Sequence, residues 1–345
     1  MIKPQKLNKG DTVALVSLSS GLAGESLFRH RVELGIKRLK EDFGLKVITM
    51  PNALKGIEYL DSYPEARAMD LMEAFKNPEI KAVITMIGGD DTIRLLPHID
   101  FEVFRNNPKI FMGYSDTTVN HFMMYKAGLT SFYGPCIMAE FAENAAMHEY
   151  TKTYIKKVLF ETNSSLEIAQ SPEWTSEMLN WIDCTNNEIS RKMISDKNGY
   201  ILLQGKGKVE GRLLGGCLDV LPMLIGTELW PKADEWKECI LFLETSEEYP
   251  SPQEVKYLLR GLVAQGVIDN ISGIIVGKPK DEKYFEEYKE VLIKVISQEA
   301  ERKDMPILYN MNFGHNAPMC ILPYGALVEI DCNKKSFWLK EAVVD

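Results

Sequence analysis

The 345-residue sequence predicts an α/β protein. Its N-terminal domain is built on a parallel sheet in the Rossmann or flavodoxin manner, and its C-terminal domain is a β-rich α/β unit. Three observations predict this. Short continuous apolar runs alternate with amphipathic stretches through the first half, as in a parallel sheet covered on both faces. The alternation stops over residues 162–200, which are polar and aperiodic. Strand-like runs then dominate the last third. At about 150 residues per domain the length suits two. The predicted division is residues 1–165 for the first domain, 166–204 for an inter-domain loop and 205–345 for the second.

The elements follow in order. Thr12 to Ser17 reads as a strand leading into a Ser/Gly-rich turn through Gly21. Apolar residues recur at helical spacing from Glu25 to Asp42, with Gly44 placed to cap the helix C-terminus. Lys46 to Met50 is a second strand, and Pro64 opens a helix over Glu65 to Phe75 from the favoured first position. Ala82 to Ile87 forms a third strand ending at Gly88-Gly89, and Lys109 to Met112 a fourth ending at Gly113-Tyr114-Ser115-Asp116. A helix over Thr117 to Lys126 closes at Gly128. The 162–200 stretch carries Trp174 and Trp181 and is long enough to hang over a cleft. Later strands are expected near Val209–Leu214, Cys239–Leu243, Ile271–Val276, Pro306–Asn310, Met319–Leu322 and Leu327–Ile330. Helices are expected from Ser251-Pro252-Gln253-Glu254, a capping-box pattern, and from Tyr284 to Ala300.

Charge and composition narrow the function. Forty basic against 49 acidic side chains leave a net charge of −9, the wrong sign for a binder of nucleic-acid polymers, which needs a basic face. No apolar run reaches the ~18 residues of a membrane span. The N-terminal residues lack the apolar core of a signal peptide, so a cytoplasmic location is expected. The six cysteines form no C-x-x-C pair. They read as reduced, mostly buried thiols, with no disulfide framework and no metal site expected.

Of five histidines, His315 lies in a glycine-bearing loop, Asn312-Phe313-Gly314-His315-Asn316, between two apolar strands, where catalytic groups collect. His30 reads as part of a solvated helix face. His121, six residues beyond Ser115, faces away from it on the helix. Ser115 sits on a strand-to-helix turn that exposes its hydroxyl and points the Asp116 N–H outward; the same residue types also serve as ordinary helix caps. The Gly88-Gly89 turn offers a second N–H donor through Gly89, or a purely structural turn. Glu244 ends an apolar strand and suits either the orientation of a histidine or the capping of the next turn, while Glu247 and Glu248 read as solvated loop charges. Together Ser115, Glu244 and His315 match the nucleophile, acid and base of acyl-transfer chemistry.

These stretches resemble the LD-carboxypeptidase family of serine peptidases, in particular its microcin C self-immunity branch. The likeness rests on Pro64 to Leu71, Ala82 to Asp90, Gly113 to Asp116, Gly215-Gly216 with Gly226-Thr227, Leu243 to Glu247, Val276 to Lys278 and Gly314-His315. Each is weak alone, but their order spans nearly the whole chain. The resemblance implies a two-domain fold with Ser115 as nucleophile, Glu244 as orienting acid and His315 as base. It implies an oxyanion hole from the N–H groups of Gly89 and Asp116, no cofactor, and a cytoplasmic homodimer. The resemblance further implies a small peptide or an aminoacyl-nucleotide as substrate: one branch of the family releases D-alanine from murein tetrapeptides, and the other cleaves an amide between an aminoacyl group and a nucleotide-like moiety. Trp174 and Trp181 resemble the second branch, where an indole would stack on a base; packing between the domains is their other reading. Lys278 is a candidate for a substrate carboxylate. Cys217 stands where many relatives carry Asn, which puts any contact of that amide in doubt. An α/β-hydrolase esterase would share the Ser, acid, His order but wants Gly at position 117, which is Thr117, and an upstream His-Gly-Gly. A two-domain ligand binder of the periplasmic type would want a signal peptide.

Overall fold

The computed structural model describes residues 1–345. Its strands are β1 (Thr12–Val16), β2 (Lys46–Thr49), β3 (Ile80–Thr85), β4 (Ile110–Gly113), β5 (Phe132–Tyr133), β6 (Leu166–Glu167), β7 (Glu173–Trp174), β8 (Ile194–Ser195), β9 (Ile201–Gln204), β10 (Lys208–Cys217), β11 (Cys239–Glu244), β12 (Gly273–Gly277), β13 (Ile307–Met311), β14 (Leu322–Pro323), β15 (Leu327–Asp331) and β16 (Ser336–Leu339). The first sheet has the order β14-β5-β4-β3-β1-β2. Strands β1 to β5 pair in parallel, and β14 adds an antiparallel edge. The second has the order β6-β16-β15-β10-β11-β12-β13-β9, with a parallel centre from β10 to β13 and antiparallel flanks. An α/β architecture with a parallel-rich first sheet and a mixed second sheet is therefore what the sequence predicts.

The central strands are apolar because they are covered on both faces: every residue of β4, β11, β12 and β13 is buried. The helices Arg29–Phe43, Pro64–Lys76 and Thr118–Lys126 alternate with strands of the first sheet, and Pro252–Ala264 and Phe285–Leu292 with those of the second. Pro64 stands at the helix start, the Ser251 box is formed, and Gly44 caps at φ 69°.

Four details differ from expectation. The first long helix begins at Arg29 rather than Glu25, after two short 3₁₀ turns; the backbone of Gly56 lies so close to Gly21 and Gly24 that a Cβ at either would meet it within 2.5 Å. The helix from Phe285 widens to π geometry over Ile293–Glu299. The strand sought near Met319–Leu322 is the two-residue β14, which returns to the first sheet and pairs with β5. Residues 166–204 are not simply a loop: β6 and β9 edge the second sheet, and β7 pairs with β8.

Candidate active site

The site groups come from the carboxyl ends of parallel strands in both sheets, where α/β folds place ligands. β4 ends at Gly113, where a Cβ would lie 2.3 Å from Thr85 Oγ1. Two residues on, Ser115 takes φ 64°, a left-handed conformation that costs a non-glycine residue about 1–2 kcal/mol. This turn lifts the hydroxyl off the sheet before the Thr118–Lys126 helix begins. Asp116 holds it down from beneath. Its fully buried carboxylate accepts from the Ser19 hydroxyl at 2.6 Å and from Thr92 N–H and Oγ1 at 2.9 and 2.6 Å. The elbow is thereby tied to the turns after β1 and β3. Buried Arg67 secures the same turns through the Leu18 and Ser19 carbonyls, both at 3.2 Å, and a two-pronged pair with Asp91 at 2.7 and 2.9 Å.

The turn after β3 presses on the serine. A Cβ at Gly88 would stand 3.0 Å from Ser115 Cβ, and one at Gly89, whose φ is 153°, would meet Ser19 Oγ at 2.2 Å. Glycine lets this backbone approach the hydroxyl. The first N–H groups of a helix have no partner within it, and the Gly88-Gly89 turn comes close to that of Asp116: a Cβ at Gly88 would lie 3.5 Å from the Asp116 backbone nitrogen.

Across the seam, β11 ends in Glu244, which is fully buried, and the loop after β13 delivers His315. His315 Nδ1 lies 2.8 Å from Glu244 Oε2, and Nε2 lies 3.0 Å from Ser115 Oγ. An ionised carboxylate only accepts, so Nδ1 carries the proton and donates, which leaves Nε2 to accept from the serine hydroxyl. Gly314, at φ 96°, makes the contact possible, since a Cβ there would fall 2.5 Å from Glu244 Oε2. Burial alone would lower the His315 pKa, but the charge and hydrogen bond of Glu244 outweigh it and hold the imidazole above its ordinary 6.5. Burial would raise Glu244, and His315 outweighs that to hold it below 4.5. The ring of Tyr114 packs edge-on against His315 at 5.0 Å.

Sequence reasoning missed Tyr133. Its hydroxyl donates to Glu244 Oε1 at 2.5 Å and accepts the Ser115 N–H at 3.1 Å. A tyrosine in the two-residue strand Phe132–Tyr133 gives no sign of such a role. His121 does not contact Ser115, in keeping with the spacing, and is buried: Nε2 donates to the Gly113 carbonyl at 2.9 Å and Nδ1 accepts from Ser131 at 2.8 Å, and burial drives its pKa down to about 3.

A cavity of about 560 Å³ opens over Ser115 and His315 and is lined also by Gly88, Gly89, Arg31, Trp181, Arg191, Glu140, Glu247 and Lys280. Trp181 is thus where expected, with the Arg31 guanidinium 4.6 Å from its ring centroid. Burial lowers that guanidinium to about 10. Trp174 and Lys278 are not in the cavity. Trp174 is 5% exposed, under the Lys278 ammonium at 4.6 Å. That ammonium is itself 1% exposed and paired with Asp196 at 3.3 Å and Glu282 at 3.0 Å. A buried cation must be neutralised, so Lys278 has no charge left for a ligand. Lys280, two positions on, faces the cavity instead, with Nζ 3.2 Å from the His315 carbonyl. Glu247 is exposed, as a solvated loop charge is expected to be, at the cavity rim with Oε2 3.4 Å from His315 Nε2. One further reading changes. His30 is not a solvated group, because its ring nitrogens meet the Trp181 carbonyl and the Asn187 amide, both at 2.8 Å, and support the segment over the cavity.

The metal-ligating side chains that converge are Cys217, Glu244 and His315, with donor atoms within 4.8 Å of one another. Glu244 and His315 are spent on each other, and burial pushes the Cys217 thiol well above 9, so it stays protonated. The backbone N–H of Cys217 donates to Thr118 Oγ1 at 3.1 Å, and its Sγ contacts Asp219 Oδ2 at 3.4 Å. All six cysteines are unpaired, Cys184 exposed and the rest buried.

A strand-elbow serine facing an imidazole–carboxylate pair across two α/β sheets defines a hydrolase of the serine type. Residues 13–134 match the LD-carboxypeptidase N-terminal domain and residues 210–330 its C-terminal domain. The chain belongs to the LD-carboxypeptidase family and is a serine-type peptidase. It is 32% identical to the microcin C7 self-immunity protein MccF of Escherichia coli, over 96% of this chain and 94% of that protein. Its structure superposes on that of an MccF-like protein from Streptococcus pneumoniae in complex with AMP, with a TM-score of 0.87, 37% identity, and coverage of 96% of this chain and 98% of that one. It also superposes on MccF in complex with aspartyl sulfamoyl adenosine, with a TM-score of 0.85, 29% identity and full coverage of both. These likenesses fall in the microcin-immunity branch.

Proposed function

We propose that the enzyme hydrolyses the amide between an aminoacyl group and a nucleotide-like moiety. Ser115 Oγ attacks the carbonyl carbon as its proton passes to His315 Nε2. The oxyanion is received by the N–H groups of Gly89 and Asp116. The C–N bond then breaks, the imidazolium returns its proton to the leaving nitrogen, and an acyl-Ser115 ester remains. Water, deprotonated by the same imidazole, releases the amino acid. Glu244 holds the tautomer and stabilises the imidazolium.

The observation that carries this reading is the hydrogen-bonded chain of 3.0 and 2.8 Å from Ser115 through His315 to Glu244, opening into a cavity that contains Trp181. An indole stacked on a base contributes about 1–3 kcal/mol. The AMP and aspartyl sulfamoyl adenosine complexes of the relatives support the same assignment. A second reading, release of D-alanine from murein tetrapeptide, is favoured by Lys280, a cavity ammonium beside the histidine loop that suits a terminal carboxylate. A cytoplasmic homodimer is the setting proposed for either. No helix is long and apolar enough to cross a membrane.

Mass spectrometry after incubation with both aspartyl sulfamoyl adenosine and murein tetrapeptide separates the readings. Free aspartate and sulfamoyl adenosine are expected from the wild type and neither from Ser115→Ala. Exclusive release of D-alanine would overturn the first reading in favour of the second.

A further inference from the structure

We propose that Tyr133 is a positioning residue for acyl transfer, its one hydroxyl fixing the nucleophile of the first sheet and the acid of the second in a common register. The inference rests on the roles given above to Ser115, His315 and Glu244. The two halves of the reacting group belong to different sheets, and a displacement of 1 Å between such groups can cost a hundredfold in rate. Tyr133 is the side chain that bonds to both. It belongs to β5, next to the elbow strand β4. Its hydroxyl accepts the Ser115 N–H at 3.1 Å and donates to Glu244 Oε1 at 2.5 Å, while Oε2 of that carboxylate holds His315 at 2.8 Å.

The surroundings fix the direction of these bonds. Tyr133 is 1% exposed and walled by the rings of Phe242 at 5.3 Å, His121 at 5.6 Å and Tyr324 at 6.5 Å. Burial first, and the Glu244 charge next, push the phenol well above 10, so it stays protonated as a donor. Two consequences follow. The nucleophile's own N–H is occupied, which leaves the oxyanion to Asp116 and Gly89. In addition, the phenol draws charge from Glu244 and so moderates how strongly the carboxylate holds a proton on His315. The other titratable groups facing this pair are Cys217 and Tyr324 on the Glu244 side and Glu247, Lys280 and Tyr114 on the His315 side.

The test is Tyr133→Phe in the full chain, with aspartyl sulfamoyl adenosine as substrate. The expected result is a fall in kcat of roughly tenfold to a hundredfold, the size of one hydrogen bond to a charged group, with little change in KM. The acid limb of kcat/KM should move to higher pH, because an unmoderated Glu244 raises His315 further. A merely structural role would leave that limb in place. 3-Fluorotyrosine incorporated at position 133, a stronger donor of nearly the same shape, should move the limb to lower pH, and it reads the same bond should the phenylalanine variant fail to fold. An unmoved limb in the fluorotyrosine enzyme, or wild-type kcat and pH profile in Tyr133→Phe, overturns the proposal. Ser115→Ala, assayed alongside, separates the two failures. Retained turnover there removes the underlying mechanism, whereas a dead Ser115→Ala beside a normal Tyr133→Phe removes only the role of Tyr133.

Discussion

His315 shows how two opposing effects set one group. Its burial disfavours the imidazolium and its bond to Glu244 favours it, with the second prevailing. The proposed mechanism needs a neutral ring at Nε2, so kcat/KM is expected to rise with pH through an apparent pKa above the ordinary 6.5. Glu244→Gln removes the charge that holds the proton and should bring that limb to lower pH, with kcat down by roughly three to four orders of magnitude; a pH–rate series on both enzymes checks it. The same pair links pH to stability. The raised His315 contributes fully below 6.5, and its contribution disappears as pH climbs past the folded value. The depressed Glu244 contributes above 4.5, and its contribution disappears as pH drops past the folded value. At this scale the sequence was readable where a polar residue ends an apolar strand, as at Glu244, or follows one in the turn, as at Ser115. It was unreadable at Tyr133, whose ring belongs to the core and whose hydroxyl does not, and at Lys278 and Lys280, where only folding decides which ammonium is enclosed.

Turns and segments carry the next layer of control. The Gly88-Gly89 turn has no room for a side chain: a Cβ at Gly89 would stand 2.2 Å from Ser19 Oγ and 2.7 Å from Ser20 N. Gly89→Ala must therefore displace this backbone against the Ser19-Ser20 turn and so disturb the proposed oxyanion donor. The expected loss in kcat is about a hundredfold to a thousandfold, the worth of one oxyanion donor, with KM nearly unchanged, measurable by steady-state kinetics. The segment from β7 to β8 behaves differently. It is pinned by the enclosed ion pair of Lys278 with Asp196 and by the stacking of that ammonium on Trp174. Lys278→Ala strands the buried Asp196 carboxylate and should destabilise the fold by about 3–5 kcal/mol, seen as an earlier thermal transition. KM should hold where Trp181 stays in place. The long polar stretch was legible as a cavity cover because it has no period, but its β7–β8 pairing was not, since two-residue strands leave no pattern to detect.

For the whole molecule, the alternation of apolar runs with amphipathic helices was enough to foresee two α/β sheets, because parallel strands buried on both faces must read that way. It could not reveal that chain order and sheet membership part company at the end. Leu322 pairs with Tyr133 and Pro323 with Phe132, so the first sheet is completed by residues from the last tenth of the chain. Residues 1–165 expressed alone would leave β5 as an open edge with its buried phenylalanine and tyrosine uncovered, a template for aggregation. That fragment is expected to associate or precipitate where the full chain does not, which light scattering at matched concentration would detect.

The same return crossing has a mechanical meaning. The loop that bears the imidazole leaves the second sheet at β13 and is fastened to the first sheet at β14, like a hasp closed over the joint between two plates. A swing of either plate is therefore expected to carry His315 with it, so that the reach between imidazole and hydroxyl is set by the joint rather than by the loop alone.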